Sequence, residues 1–144
     1  MTNKSAVAKF IEACRLASNT EHHKRINYPR TGSNNLWFHS MGGNMLALQS
    51  YGLHFTLCYY DVNKRNYLVN CYNMSNTTTL HRNTLLKQLE GEPYVYYFDA
   101  PNSLRHNHYE ALDKIVAGEY VLHTSMKALR EYRKDIVKKI KEAL

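Results

Sequence analysis

Residues 53 to 73 constrain the fold more tightly than any other part of the chain. "LHFTLCYYD" and "YLVNCYN" are two runs of aromatic and aliphatic residues joined by the polar stretch "VNKRN" at 62 to 66. Two such runs around a short polar turn pair antiparallel as a hairpin. In the first run Leu53, Phe55, Leu57 and Tyr59 alternate, which predicts that they share one face of a sheet. Upstream, "LWFHS" and "NMLALQ" flank the turn signal Gly42–Gly43 and extend the hairpin into a meander, one face on a core and the other open. Downstream, "EPYVYYFDAP" reads as a further short strand closed by Pro101.

Helical periods surround this sheet. Val7, Phe10, Ile11 and Cys14 give residues 5 to 17 one apolar face. "NSLRHNHYEALDKIVAG", 102 to 118, has Leu104, His108, Leu112, Ile115 and Val116 on one side and Gly118 as a stop. "EYVLHTS" reads as either strand or loop. The last segment carries a stripe of Met126, Leu129, Tyr132, Ile136, Val137, Ile140 and Leu144, with Lys127, Lys134 and Lys138 opposite and Arg130 and Lys141 on its flank. Residues 19 to 35 have no apolar period and form a long basic loop. The expected class is α+β: an antiparallel meander of three to five strands packed by N-terminal, middle and long C-terminal helices. At 144 residues the chain is one domain, long enough to bury a core without metal or disulfide help.

"NMSNTTTLHRNTLL", 73 to 86, stands between the hairpin and the middle helix. Ser and Thr collect at helix starts because their hydroxyls accept free backbone N–H groups. Ser75 to Thr78 therefore supply the cap of a helix whose apolar set is Leu80, Leu85, Leu86 and Leu89 and whose stop is Gly91. The same Thr77, Thr78 and His81 would also suit an anion at a helix N-terminus. The alternative is a neutral histidine bonding back to a strand.

Residues 46 to 86 resemble a small domain widespread in bacteriophages and other mobile elements. That domain joins a "SYG" strand and a hairpin to an "S-x-TT-x-H" helix start. The residues that match are Ser50, Tyr51, Gly52, Ser75, Thr77, Thr78 and His81. The resemblance implies a phage origin, hence the host cytoplasm, and a strand–hairpin–helix unit; it implies no reaction. It also marks Gly52 as a position of special backbone conformation or close packing.

Composition narrows the function classes. The net charge is +7, and Tyr is abundant, 12 against 4 Phe and 1 Trp. Positive charge attracts polyanions, and tyrosine rings stack on bases. Basic groups fall in the loop (Lys24, Arg25, Arg30), at the hairpin tip (Lys64, Arg65) and on the last helix (Arg130, Lys134, Lys138), with Tyr59 and Tyr67 as stacking partners. The leading expectation is a non-enzymatic protein that binds nucleic acid with tolerance of sequence. The alternative is an inhibitor of a host protein, in host takeover or counter-defence. A third reading uses "HFT" and "HTS": paired H-x-[ST] motifs mark the 2H phosphoesterases, and would make His54 and His123 base and acid with Thr56 and Ser125 holding phosphate. No cofactor is expected. His22–His23 and His106/His108 lack ligand spacing or nearby carboxylates, so no metal is expected either. Cys14, Cys58 and Cys71 are scattered and odd in number, as free thiols of a reducing cytosol are. No stretch approaches the roughly 20 apolar residues of a membrane span.

Overall fold

The computed structural model describes residues 2–19, 30–33, 35–42, 44–50, 55–73, 75–100, 113–115 and 117–144. Their elements are α1 (Asn3–Asn19), β1 (Thr31–Gly32), β2 (Leu36–Gly42), β3 (Met45–Ser50), β4 (Phe55–Asp61), β5 (Asn66–Asn70), α2 (Asn76–Gln88), β6 (Val95–Phe98) and α3 (Met126–Ala143). The fold is α+β. The strands form one six-stranded sheet in sequence order, one strand more than the upper expectation. β2 to β5 are antiparallel, as the turn signals predict, and β1 pairs antiparallel with β2 inside the stretch 19 to 35 that was expected to be loop. β6 joins β5 in parallel, because α2 carries the chain back along the sheet before the next strand begins.

α1 buries the predicted Val7, Phe10, Ile11 and Cys14, together with Ala6, Ala13 and Ala17. Phe10 lies against Phe38 and Tyr67, with ring centroids 5.8 and 6.4 Å away. Leu36, Leu46, Leu48, Phe55, Leu57, Val69 and Leu85 complete this larger core. A second cluster gathers the residues that alternate with these: Met41, Met45, Ala47, Tyr59, Leu68, Phe98, Ala100 and Ile115. All of β3, and β4 from Phe55 to Tyr60, is buried. The sheet is thus covered on both faces, where one open face was expected.

The alternation expected of β4 breaks at Leu57. Leu48 pairs with Cys58 and Gln49 with Thr56, so Leu57 is the extra residue of a β-bulge. Phe55 and Leu57 share one core as predicted, but Cys58 and Tyr60 then join them and Tyr59 turns into the second core. Leu53 lies outside the described residues.

α2 runs to Gln88, with Leu89 as its C-cap and Gly91 beyond it at φ +84°. Its inner face is Thr78, His81, Arg82, Leu85 and Leu89. Leu80, expected inside, is 64% exposed. α3 carries the predicted stripe, but only Leu129 is buried, with Met126 packed at the core's edge, and every residue from Lys134 to Leu144 is exposed. The helix expected over 102 to 118 falls mostly outside the described residues. Within it, 113–115 are helical and Ile115 is buried. In "EYVLHTS", His123 makes an isolated antiparallel bridge to Tyr97.

Gly52 lies outside the described residues. The close approach by glycine is at Gly32, where φ is +139° and an added Cβ would stand 2.5 Å from the Leu36 carbonyl oxygen and 2.7 Å from Trp37 Cα. Both obstacles are backbone atoms that no rotamer change can move. Gly32→Ala is expected to cost about 1–3 kcal/mol, a drop of several degrees in the thermal midpoint. An unchanged midpoint contradicts the pairing of β1 on β2.

Candidate functional site

Ser50 and the start of α2 meet in one buried polar cluster. Ser75 is the N-cap: its backbone is extended (φ −160°, ψ 168°) and its Oγ accepts the Thr78 N–H at 3.1 Å. Ser75 Oγ also donates to Thr78 Oγ1 at 3.1 Å. Ser50 Oγ, on the last residue of β3, lies 3.4 Å from Thr78 Oγ1 and shares a 2.8 Å hydrogen bond with His81 Nδ1. Ser50, Thr78 and His81 are all buried. Burial pushes the His81 imidazole below its usual pKa, which favours the neutral ring. The cluster joins strand to helix, and the cap hydroxyl already takes an N–H that an anion would need. Thr77 is only partly buried and is not the cap.

Two arginines grip the chain where it leaves β5. Arg82 donates to the Tyr72 carbonyl oxygen and to Asn73 Oδ1, each at 3.1 Å. Arg133 donates to the Cys71 carbonyl oxygen at 2.8 Å and forks onto Asp99 at 2.8 and 2.5 Å. The Asp99 contact holds the Arg133 pKa above its usual value. Arg133 was read from the sequence only as one of the cations of the last helix, and Arg82 was given no role. The available signal was position: Thr78, His81, Arg82, Leu85 and Leu89 follow the spacing of one helix face, so a cation at 82 had to point inward.

The expected basic groups are dispersed. Lys24 and Arg25 lie outside the described residues. The Arg30 guanidinium sits 4.3 Å above the Trp37 ring. Lys64 and Arg65 occupy the β4–β5 turn, where Arg65 has φ +56° and donates to the Ser18 carbonyl oxygen at 3.2 Å. That turn and the Arg133 anchor on Cys71 are at opposite ends of β5. The stacking role expected of the tyrosines fails on burial. Tyr59 is 1% and Tyr67 2% exposed, Tyr59 against Phe98 and Tyr67 against Tyr60. Tyr59, Tyr60 and Tyr67 fill the core, whereas Tyr94 and Tyr132 are exposed.

α3 is where cations converge. At about 100° per residue, Lys127, Arg130, Lys134, Lys138 and Lys141 fall within a sector of about 80°, and they span about 21 Å of helix. Among the described residues, Arg133, Lys134, Val137, Lys138, Lys141 and Glu142 line an open-sided cavity of about 530 Å³. Its lining surface is mostly apolar, from Val137 and the side-chain stems, with Lys134, Lys138 and Lys141 at its rim beside Glu142, and with Arg133 already paired to Asp99. Arg130 and the cavity residues Lys134 and Lys138 were read from the sequence as binding residues. Lys141 was read as a cation on the flank of the same helix, and Val137 as part of its apolar stripe.

Of the paired H-x-[ST] motifs, the described members Thr56, His123 and Ser125 do not come together. Cys58, Val69, Tyr97 and His123 lie in register across the sheet. His123 is therefore three strand spacings from β4, about 14 Å at about 4.8 Å each. Thr56 sits on β4, buried, donating to Gln49 Oε1 at 2.9 Å. Ser125 Oγ is spent capping α3, accepting the Ala128 N–H at 3.0 Å. His54 lies outside the described residues. The thiols are buried and unpaired with one another. Burial pushes the Cys14 and Cys58 thiols well up and Cys71 to about 11, so none is poised as a nucleophile. Among the described residues no group of His, Cys, Asp and Glu could hold a metal ion, and no helix is long and apolar enough to cross a membrane.

No family model matches this chain, and no match to it was found among curated proteins or solved structures.

The His81 cluster predicts a pH dependence. In the unfolded chain the ring titrates near about 6.5, whereas burial holds it lower in the fold. Between those values the unfolded chain binds a proton that the fold excludes. Stability is therefore full above the unfolded value and declines as pH falls toward the folded one. His81→Gln is expected to show a shallower decline in the urea midpoint than wild type across that window. Parallel curves contradict the assignment.

Proposed function

We propose that the protein binds nucleic acid through its phosphates, with tolerance of sequence, by the basic side of α3. The observation that carries this reading is the single row Lys127, Arg130, Lys134, Lys138 and Lys141, three members of which open onto the cavity beside Arg133. A row of about 21 Å runs beside about six phosphates of one duplex strand, at about 3.4 Å of axis each. Lys134, Lys138 and Lys141 sit on the half of α3 that stands clear of the core, so they reach a ligand without moving any packed element. With Tyr59 and Tyr67 inside, affinity comes from charge and not from base stacking, and single strands hold no stacking advantage over duplex. The resemblance of residues 46 to 86 supplies the setting within the same proposal: a phage-encoded protein working in the host cytoplasm.

A second reading rests on the apolar neighbours of the row. Tyr132, Ile136 and Ile140 are exposed beside cations. That combination would also suit an acidic host protein, as in takeover or counter-defence.

Fluorescence anisotropy with duplex and single-stranded DNA across a salt series tests the proposal. Lys134→Glu with Lys138→Glu is expected to weaken binding of every sequence at least tenfold. The same pair should lower the log–log salt slope by about two, at about 0.9 per lost phosphate contact. Lys64→Ala with Arg65→Ala, at the far end of β5, leaves the slope unchanged. No binding of any nucleic acid at low salt and tens of micromolar protein overturns the proposal in favour of the host-protein reading.

A further inference from the structure

The face of the sheet that carries the second core is polar at one end. Register sets Trp37, Gln49 and Thr56 in one row across β2, β3 and β4, and His39, Ala47 and Tyr59 in the next. Arg30 stands just before β1, whose Thr31 pairs with Phe38, so register places it opposite His39 at the edge of the sheet. Trp37, His39, Gln49 and Thr56 thus gather on a face that carries Met41, Met45, Ala47 and Leu68 elsewhere. Thr56 Oγ1 donates to Gln49 Oε1 at 2.9 Å, which turns the Gln49 amide nitrogen toward His39. Gln49 Nε2 and His39 Nε2 lie 3.3 Å apart. An amide nitrogen donates and does not accept, so His39 Nε2 is the acceptor. Trp37 is the exception to this closed set. It is 6% exposed, and its Nε1 is buried with no hydrogen-bond partner among the described residues. An indole N–H can only donate. Buried polar side-chain atoms are seldom left without a partner, so this one points to an acceptor brought from outside the chain.

Arg30 gives the charge of that acceptor. Its guanidinium lies 4.3 Å above the Trp37 ring, on an exposed residue, and no carboxylate among the described residues pairs with it. Stacking on the indole thereby holds an uncompensated cation beside a donor that lacks an acceptor. The His39 ring, its centroid 4.9 Å from that of Trp37, packs against the same indole. We propose that Trp37 Nε1 and Arg30 form a site for one oxyanion, the carboxylate or phosphate group of a small molecule. Nε1 donates one hydrogen bond to it. Arg30 turns from the face of the ring toward its edge and donates its fork to the remaining oxygens, the geometry a guanidinium offers to carboxylate and phosphate alike. The site stands five strand spacings from β6, roughly 24 Å at about 4.8 Å each. It is therefore separate from the basic row of α3 and does not rest on nucleic-acid binding.

Trp37 is the single tryptophan of the chain, so one indole N–H resonance reports the site directly. The test titrates sodium phosphate and, separately, sodium acetate into the isotope-labelled protein, with ionic strength held constant by sodium chloride. Titration to about 50 mM covers the millimolar affinity expected of one charged contact. The expected result is a saturable movement of the indole proton to lower field, as its hydrogen bond forms, with no such movement in chloride alone. Saturation by phosphate only assigns a phosphorylated ligand, saturation by acetate only assigns a carboxylate, and saturation by both assigns a site for either group. Arg30→Met is expected to weaken binding about tenfold or more, as loss of a hydrogen bond to a charged group does, while its indole resonance shows that the variant is folded. Arg30→Lys, which keeps the charge and loses the fork, is expected to weaken it less. No saturable movement with either anion, an equal movement in chloride, or an Arg30→Met variant that binds as tightly as wild type overturns the proposal.

Discussion

Two guanidinium groups, on Arg82 and Arg133, hold consecutive carbonyls at the exit of β5, and the architecture depends on that grip. Arg82 comes from α2 and takes Tyr72; Arg133 comes from α3 and takes Cys71. One short segment thereby sets where the crossover helix begins and where the last helix is rooted. Carbonyl oxygens that would otherwise face a poorly hydrated interior receive charged donors, which form the stronger class of hydrogen bond. Arg133 is neutralised by Asp99, just past β6, so the same contact also ties α3 to the parallel edge of the sheet. The buried Ser50–His81 bond does the corresponding job for α2 from the other side, fixing the helix against the end of β3.

Much of this was legible in the residues. The period of α1, the β4–β5 hairpin and the cap at Ser75 all follow from local rules, because each is decided by neighbours in the chain. What escaped was decided by distant partners. The Leu57 bulge changes which side Tyr59 faces, and it depends on pairing with β3, which no pattern within β4 reveals. The parallel pairing of β6 depends on how α2 packs. The second core, with Met41, Met45 and Leu68, was missed because one face of the sheet was read as open.

The candidate site divides along the same line. Tyrosine abundance suggested a stacking surface, but aromatic rings are also large apolar volumes, and a sheet covered on both faces uses them as core. Tyr59, Tyr60 and Tyr67 went inside for that reason. The cations of α3 were legible as a charged side of a helix. Their gathering around one cavity was not, because it depends on where Arg133 roots the helix and on how far the helix runs beyond its last buried residue, Leu129. The stripe looked like an inward face because its periodicity is that of a packed helix. Periodicity shows that a helix has an apolar side and says nothing of whether the same chain covers it.

The account's central claim is that the free half of α3 is the surface that meets nucleic acid. Lysine acetylation read residue by residue by mass spectrometry, with and without a short duplex, tests this most directly, because a lysine held on a phosphate loses its reactivity. Protection concentrated at Lys134, Lys138 and Lys141, with Lys64 modified equally in both samples, is the predicted result. Protection at Lys64 with α3 unchanged, or no difference between the two samples under conditions where binding is saturated, would contradict it.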